Sequence, residues 1–238
     1  MYLTGLLNVG SVVMEGQPYG AIYGSRYKRD ANNNIVIGSN GFPIVDDEYG
    51  IIGNPNPDWR AGIENAFTIR KNWEFSFLFD IKKGGDMWNG TKNTLNYYGV
   101  SQESADLRET TDYIFEGIKE DGTTNDIHVD FANPANGLDG NYWQMYGIAG
   151  VAEDAIEDAS WIRLRTVSLT YNMPKRWFSH NFISKISISA YANNLYLYTP
   201  YTGVDPETNF TGASNGFGLD YFNMPNHKSY GGKLSVEF

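Results

Sequence analysis

The chain has 238 residues, 18 Lys+Arg against 28 Asp+Glu, and a formal net charge of -10 at pH 7. The absence of Cys excludes a disulfide scaffold and a Cys-ligated zinc or iron–sulfur centre. The acidic balance runs against the clustered Lys/Arg that nucleic-acid binding needs. With 17 Tyr, 13 Phe and 6 Trp there is ample apolar surface to bury, yet no apolar run approaches the roughly 18 residues of a membrane-crossing helix. The 26 Gly fit an all-β chain with many turns.

The start, Met1-Tyr-Leu-Thr-Gly-Leu-Leu-Asn-Val-Gly, lacks the basic segment and long apolar stretch of a signal peptide. Tyr19 to Arg29 alternates weakly, Asp30-Ala-Asn-Asn-Asn34 reads as a turn, and Ile35-Val-Ile37 follows, so a hairpin is predicted there. From Trp59 the pattern is clear. Trp59, Ala61, Ile63, Asn65, Phe67 and Ile69 share one face, against Arg60, Gly62, Glu64, Ala66, Thr68 and Arg70 on the other. After Arg70-Lys71-Asn72 the alternation resumes, with Trp73, Phe75, Phe77, Phe79 and Ile81 on one face and Leu78 the exception on the other. Arms of about ten residues are the length a tilted strand needs to cross a bilayer.

Further strands are predicted over Ser160 to Tyr171, Ser184 to Tyr198 and Ser229 to Phe238. In the first of these, Ile162 and Leu164 are even while Val167, Leu169 and Tyr171 are odd. A one-residue slip flips every side chain, so a β-bulge near Arg165-Thr166 is predicted. Short connections at 70–72 and 173–183 alternate with long ones at 89–159 and 199–228. Outer-membrane barrels show this asymmetry of short periplasmic turns and long external loops. Residues 101–160 hold 14 of the 28 acids and only Arg108 and Lys119 as bases, which places the acidity in one external loop.

Catalytic and metal motifs are absent. His128, His180 and His227 match no HExxH spacing and read as loop residues. There is no GxxxxGK[ST], and Gly216-Phe-Gly218 lacks a third glycine. Acidic pairs such as Glu153-Asp154 and Glu157-Asp158 read as solvated loop, and Asp121 to Asp126 as a turn rather than a calcium loop. No cofactor, no metal and no enzyme activity are expected. Trp88, Tyr97, Tyr98, Tyr142, Trp143 and Tyr146 are the candidate ligand-binding aromatics, where a sugar or peptide would stack; girdle or loop packing is the competing reading. Arg163 and Arg165 are expected to face a plug or lumen.

Six stretches in order carry a resemblance. They are Gly53-Asn-Pro-Asn-Pro-Asp-Trp59, Gly84-Gly-Asp-Met-Trp-Asn89, Glu157 through Pro174, Ala192-Asn-Asn-Leu-Tyr196, Tyr198 through Glu207, and the terminal aromatic strand. Over about residues 17–238 they resemble the C-terminal end of the SusC/RagA family of TonB-linked outer membrane proteins.

That resemblance implies an antiparallel up-and-down transmembrane β-barrel, with residues 1–238 as the C-terminal strands of a larger, plugged one. It implies import of oligosaccharides or peptides across the outer membrane in Bacteroidetes-type bacteria. The partners implied are a SusD-like surface lipoprotein, the TonB complex through an upstream segment, the barrel-assembly machinery and outer membrane lipid. Tyr230, Leu234, Val236 and Phe238 resemble the family's barrel-assembly signal, although Val236 stands where a second aromatic is usual. The plug domain and the remaining strands are expected upstream, so the chain alone is expected to be inactive. A soluble β-sandwich that binds carbohydrate is the alternative reading.

Overall fold

The computed structural model describes residues 1–133, 150–178, 182–212 and 216–238. In chain order the strands are β1 (Tyr2–Leu6), β2 (Val9–Val12), β3 (Ala21–Gly24), β4 (Val36–Ile37), β5 (Gly50–Gly53), β6 (Trp59–Ile69), β7 (Trp73–Lys83) and β8 (Asp86–Asn89). Two short helices follow, α1 (Gly90–Tyr97) and α2 (Gln102–Leu107). Then come β9 (Ile118–Lys119), β10 (Ile156–Asp158), β11 (Trp161–Asn172), β12 (Lys185–Tyr198), β13 (Leu219–Asp220) and β14 (Ser229–Glu237). The chain divides into two compact units, one of residues 57–84, 160–201 and 225–238, the other of residues 1–56, 85–159 and 202–224.

The first unit is a single sheet of five long strands in the order β14-β12-β11-β7-β6, antiparallel throughout. Among these five long strands, sheet neighbours follow one another in chain order, the up-and-down order of a barrel wall. The β6–β7 hairpin turns at Arg70 and Lys71, both at positive φ (49° and 66°). Such φ values give the turn the twist that two adjacent strands require. At this end Asn72 clamps the next strand: its carbonyl accepts from Asn172 N at 2.7 Å and its Nδ2 donates to Asn172 O at 2.7 Å.

The predicted bulge is present. Between Leu164 and Thr166 the register shifts against both neighbours: against β7 Arg165 is the extra residue, and against β12 the extra residue lies on β12, between Asn193 and Tyr196. The shift keeps Ile162, Leu164, Val167, Leu169 and Tyr171 all on one face. On β12 the same site places Asn194 at φ 52°, a left-handed conformation that Asn tolerates and β-branched residues resist. Asn194→Val is expected to destabilise the sheet by about 1–3 kcal/mol, whereas Asn194→Gly is expected to be close to neutral. Urea unfolding of the two variants checks this, and equal cost would remove the conformational argument.

The second unit explains the long connections. They are not bare loops. In the described residues, 89–159 forms α1, α2, β9 and β10, which fold with residues 1–56 and 202–224. The absence of long helical periodicity hid two helices too short to show one. Each is started by a side-chain cap, Asn89 accepting from Lys92 N and Ser101 from Ser104 N. A β1-β2-β3-β5 sheet and a small β10-β8-β13 sheet complete it, and β4 pairs in parallel with β9. The predicted turn at Asp30 forms, with Asp30 Oδ1 accepting from Asn32 N and Asn34 N, and Arg29 bridges Ile35 across it.

Two apolar clusters form this unit's core. One gathers Tyr27, Phe42, Val129, Phe131 and Val151. The other gathers Val9, Ile22, Trp88, Ala152, Ala155 and Leu219. Gly90 is obligatory beside the second: a Cβ there would lie 2.2 Å from the Trp88 ring and 2.8 Å from the Asp220 carbonyl.

Candidate functional site

The sheet has two chemically distinct faces, and strand register creates them. Cross-strand rows on the first face read Ile63–Phe79–Leu164–Tyr196, Phe67–Phe75–Leu169–Ala190–Gly232 and Ile69–Trp73–Tyr171–Ile188–Leu234. These rows are open to the surroundings: Ile63 is 49% exposed, Ile188 47% and Leu234 66%. A continuous exposed apolar surface across five strands is not what water-facing sheets carry.

Aromatics collect at both ends of that face. At the short-turn end Trp73 and Tyr171 have ring centroids 4.6 Å apart, Tyr171 and Trp177 6.1 Å, and Phe182 and Phe238 5.3 Å. Toward the other end Trp59, Tyr196, Tyr198 and Tyr230 are exposed. Rings at both ends of an apolar band match the girdles of membrane barrels.

The second face is polar and cross-linked. Asp80 pairs with the bulged Arg165, and Arg60 lies 3.8 Å from the same carboxylate. Ser76 and Ser168 share a hydrogen bond of 2.7 Å, Thr170 and Ser189 one of 2.8 Å, and Asn193 donates to Ser229 at 3.0 Å. Asn172 donates to Glu74 at 2.9 Å. Leu78, the exception in the sequence pattern, sits on this face between Glu64 and Thr166. The bulge therefore has a function in the sheet: it carries a guanidinium to the polar face without flipping the rest of β11.

The six candidate ligand-binding aromatics do not form one group. Trp88 is a correction: it is fully buried, packed in the second core cluster, and presents no face to a ligand. Tyr97 and Tyr98 are adjacent and perpendicular, with centroids 5.0 Å apart and Tyr98 70% exposed. Tyr142, Trp143 and Tyr146 lie outside the described residues, as does His180. Among the terminal-strand residues, Tyr230, Leu234 and Val236 lie on the apolar face, and Phe238 follows the end of β14 and packs against Phe182. His128 pairs with Asp112 at the surface. Among the described residues no group of three His, Asp or Glu could hold a metal.

Sequence reasoning missed a charged cluster in the second unit. Lys92 Nζ lies 3.4 Å from Glu103 and 3.7 Å from Glu157. Glu157 in turn accepts from Thr202 N and Oγ1, both at 2.7 Å. Burial alone would lower the Lys92 pKa, but Glu103, Glu157 and Asp154 outweigh it and raise it. Asp154, accepting from Tyr27 Oη at 3.1 Å, has its pKa raised by burial first and by Glu103 second. A raised carboxyl pKa means the folded state binds the proton more tightly than the unfolded one. This group's contribution therefore falls as pH rises from its ordinary 3.8 through the folded value. Asp154→Asn is expected to flatten that part of the stability profile, as measured by denaturant titrations between acid and neutral pH.

An antiparallel up-and-down sheet, apolar on one face and hydrogen-bonded on the other, with aromatics at both ends, has the pattern of a transmembrane β-barrel wall. The chain is 24% identical over 95% of its length to TonB-dependent receptor P3 of Formosa agariphila, and 29% identical over 82% to receptor P26 of the same organism. Its fold matches the RagAB peptide transporter with a TM-score of 0.56, 18% identity and 94% of the chain covered. The RagAB peptide importer in its 'open-open' state matches at 0.56 over 97% of the chain. No family model matches. The likeness to TonB-dependent receptors, with the fold of a SusC/RagA-type transporter, thus extends over most of the chain. The chain spans 23% and 17% of the two curated relatives' own lengths and 23% of the RagAB transporter chain it matches.

Proposed function

We propose that this chain supplies a stretch of membrane-crossing wall and a folded external unit to an outer-membrane transporter energised by TonB. The observation that carries the reading is the apolar face, kept in register across all five long strands. Its sheet is not closed among the described residues. Open edges in lipid leave backbone groups unpaired, so β6 and β14 are expected to pair with further strands of a larger barrel. The 238 residues together then act as part of the barrel domain, and alone they carry out no transport. The plug and the TonB-contacting segment belong to the part of such a protein that these residues do not span.

The cargo is a large nutrient, an oligosaccharide or peptide; the RagAB neighbours, named as a peptide transporter, support the peptide option. A SusD-like lipoprotein covers the external side. Tyr98, the most exposed of the described candidate aromatics, is the one proposed to meet cargo. Tyr230, Leu234, Val236 and Phe238 serve as the assembly signal.

The chain has no native Cys, so single Cys substitutions can be read cleanly. In the whole transporter in native outer membrane, Leu169→Cys is expected to resist a water-soluble maleimide. Thr170→Cys, on the opposite face, is expected to react when the lumen is open to reagent. Reaction at both positions alike would overturn the membrane-wall reading.

A further inference from the structure

The second unit holds a cleft of about 820 Å³ lined by α1, α2 and residues 202–204, within the size range of small-ligand sites. Its apolar wall is Leu95, Val100, Leu107 and Val204. Its charged lining is Lys92, Glu103 and Asp106, a surplus of one negative charge, and Glu157 stands behind Lys92. The Lys92 charge is already shared between two carboxylates, 3.4 and 3.7 Å away. An incoming anion would find that cation engaged and two carboxylates facing it.

Asn96 gives a second, independent sign. It lines the cleft, is only 2% exposed, and its Nδ2 donates to Glu103 Oε2 at 3.0 Å. That bond fixes the amide orientation, because the reverse would set an oxygen against a carboxylate. Asn96 Oδ1 is left buried with no hydrogen-bond partner. Native interiors rarely leave an acceptor so. Asn96 Oδ1 lacks a donor.

We propose that this cleft binds an organic cation: a primary ammonium on an apolar stem. The ammonium donates to Asn96 Oδ1 and faces Glu103 and Asp106, while the stem lies against Leu95, Val100, Leu107 and Val204. Two sources share this chemistry, a free alkylamine and a lysine side chain of a peptide. The inference rests on the cleft alone and stands or falls apart from the transport reading.

The test is calorimetric titration of the whole, detergent-folded protein with hexylammonium, hexanoate and 1-hexanol. Hexylammonium is expected to bind saturably and at least about tenfold more tightly than either of the others, as a hydrogen bond to a charged group implies. Glu103→Gln is expected to weaken it by about tenfold, and Asp106→Asn by a few-fold, with 1-hexanol unchanged. Asp106 is exposed, so its variant decides the matter should Glu103→Gln fail to fold. Competition by Ala-Lys-Ala but not by its Nε-acetylated form assigns the cation to a peptide; binding of hexylammonium alone assigns it to a free amine. Equal binding of hexanoate or 1-hexanol, no saturable binding, or unchanged affinity in both variants overturns the proposal.

Discussion

Phe77→Arg is expected to cost the assembled protein about 2–4 kcal/mol, the penalty of an Arg at the lipid-facing midplane of a barrel. Phe77 pairs with Asn65 and Val167, about midway between the Trp73 row and the Trp59 end of the hairpin. Phe75 lies one row nearer Trp73, where an Arg can reach the interface, so Phe75→Arg is expected to cost less. Thr68→Arg is the control on the other face. It stands opposite Glu74, gains an opposite charge across the strands, and is expected to change little. Urea unfolding in lipid and heat-modified gel mobility of the whole transporter give the readout. Equal costs at Phe77 and Thr68 would mean the two faces do not meet different media.

That contrast was legible in the sequence because strand period is fixed at two. Once Trp59 to Ile69 and Trp73 to Ile81 alternate, every side chain of the hairpin is assigned a face. The bulge at Arg165 was legible for the same reason: even apolar positions became odd ones within a single strand. What the pattern could not show is why Arg165 is there. Its partner Asp80 lies 85 residues earlier in the chain, and only the sheet register brings them together.

The second unit was far less legible. Its strands run two to five residues, too short for alternation to rise above chance. Its helices are six and eight residues long, too short for a repeating apolar stripe. Its core joins Val9, Ile22, Trp88, Ala152 and Leu219 from distant parts of the chain. Trp88 illustrates the difficulty. Met87-Trp88 is flanked by the polar Asp86 and Asn89, a setting in which a ring reads as one offered to a ligand. The sheet of β10, β8 and β13 instead turns it inward.

The burial of that ring has a measurable consequence. Trp88→Ala is expected to destabilise the second unit by about 3–5 kcal/mol, the usual cost of emptying a large aromatic site in a packed core. The ring has zero exposure, and Gly90 has no side chain with which to fill the space left behind. Trp88→Phe is expected to cost much less. The indole Nε1 has no hydrogen-bond acceptor, so the phenyl replacement gives up volume but no bond, and it removes a buried unpaired donor. Limited proteolysis followed by mass spectrometry separates the outcomes. In the Ala variant, cuts should appear within 1–56 and 85–133, while the long strands of the sheet stay protected. Uniform loss of protection in both units would show that they unfold as one body. An unchanged cleavage pattern would mean that the Trp88 site does not hold this unit together.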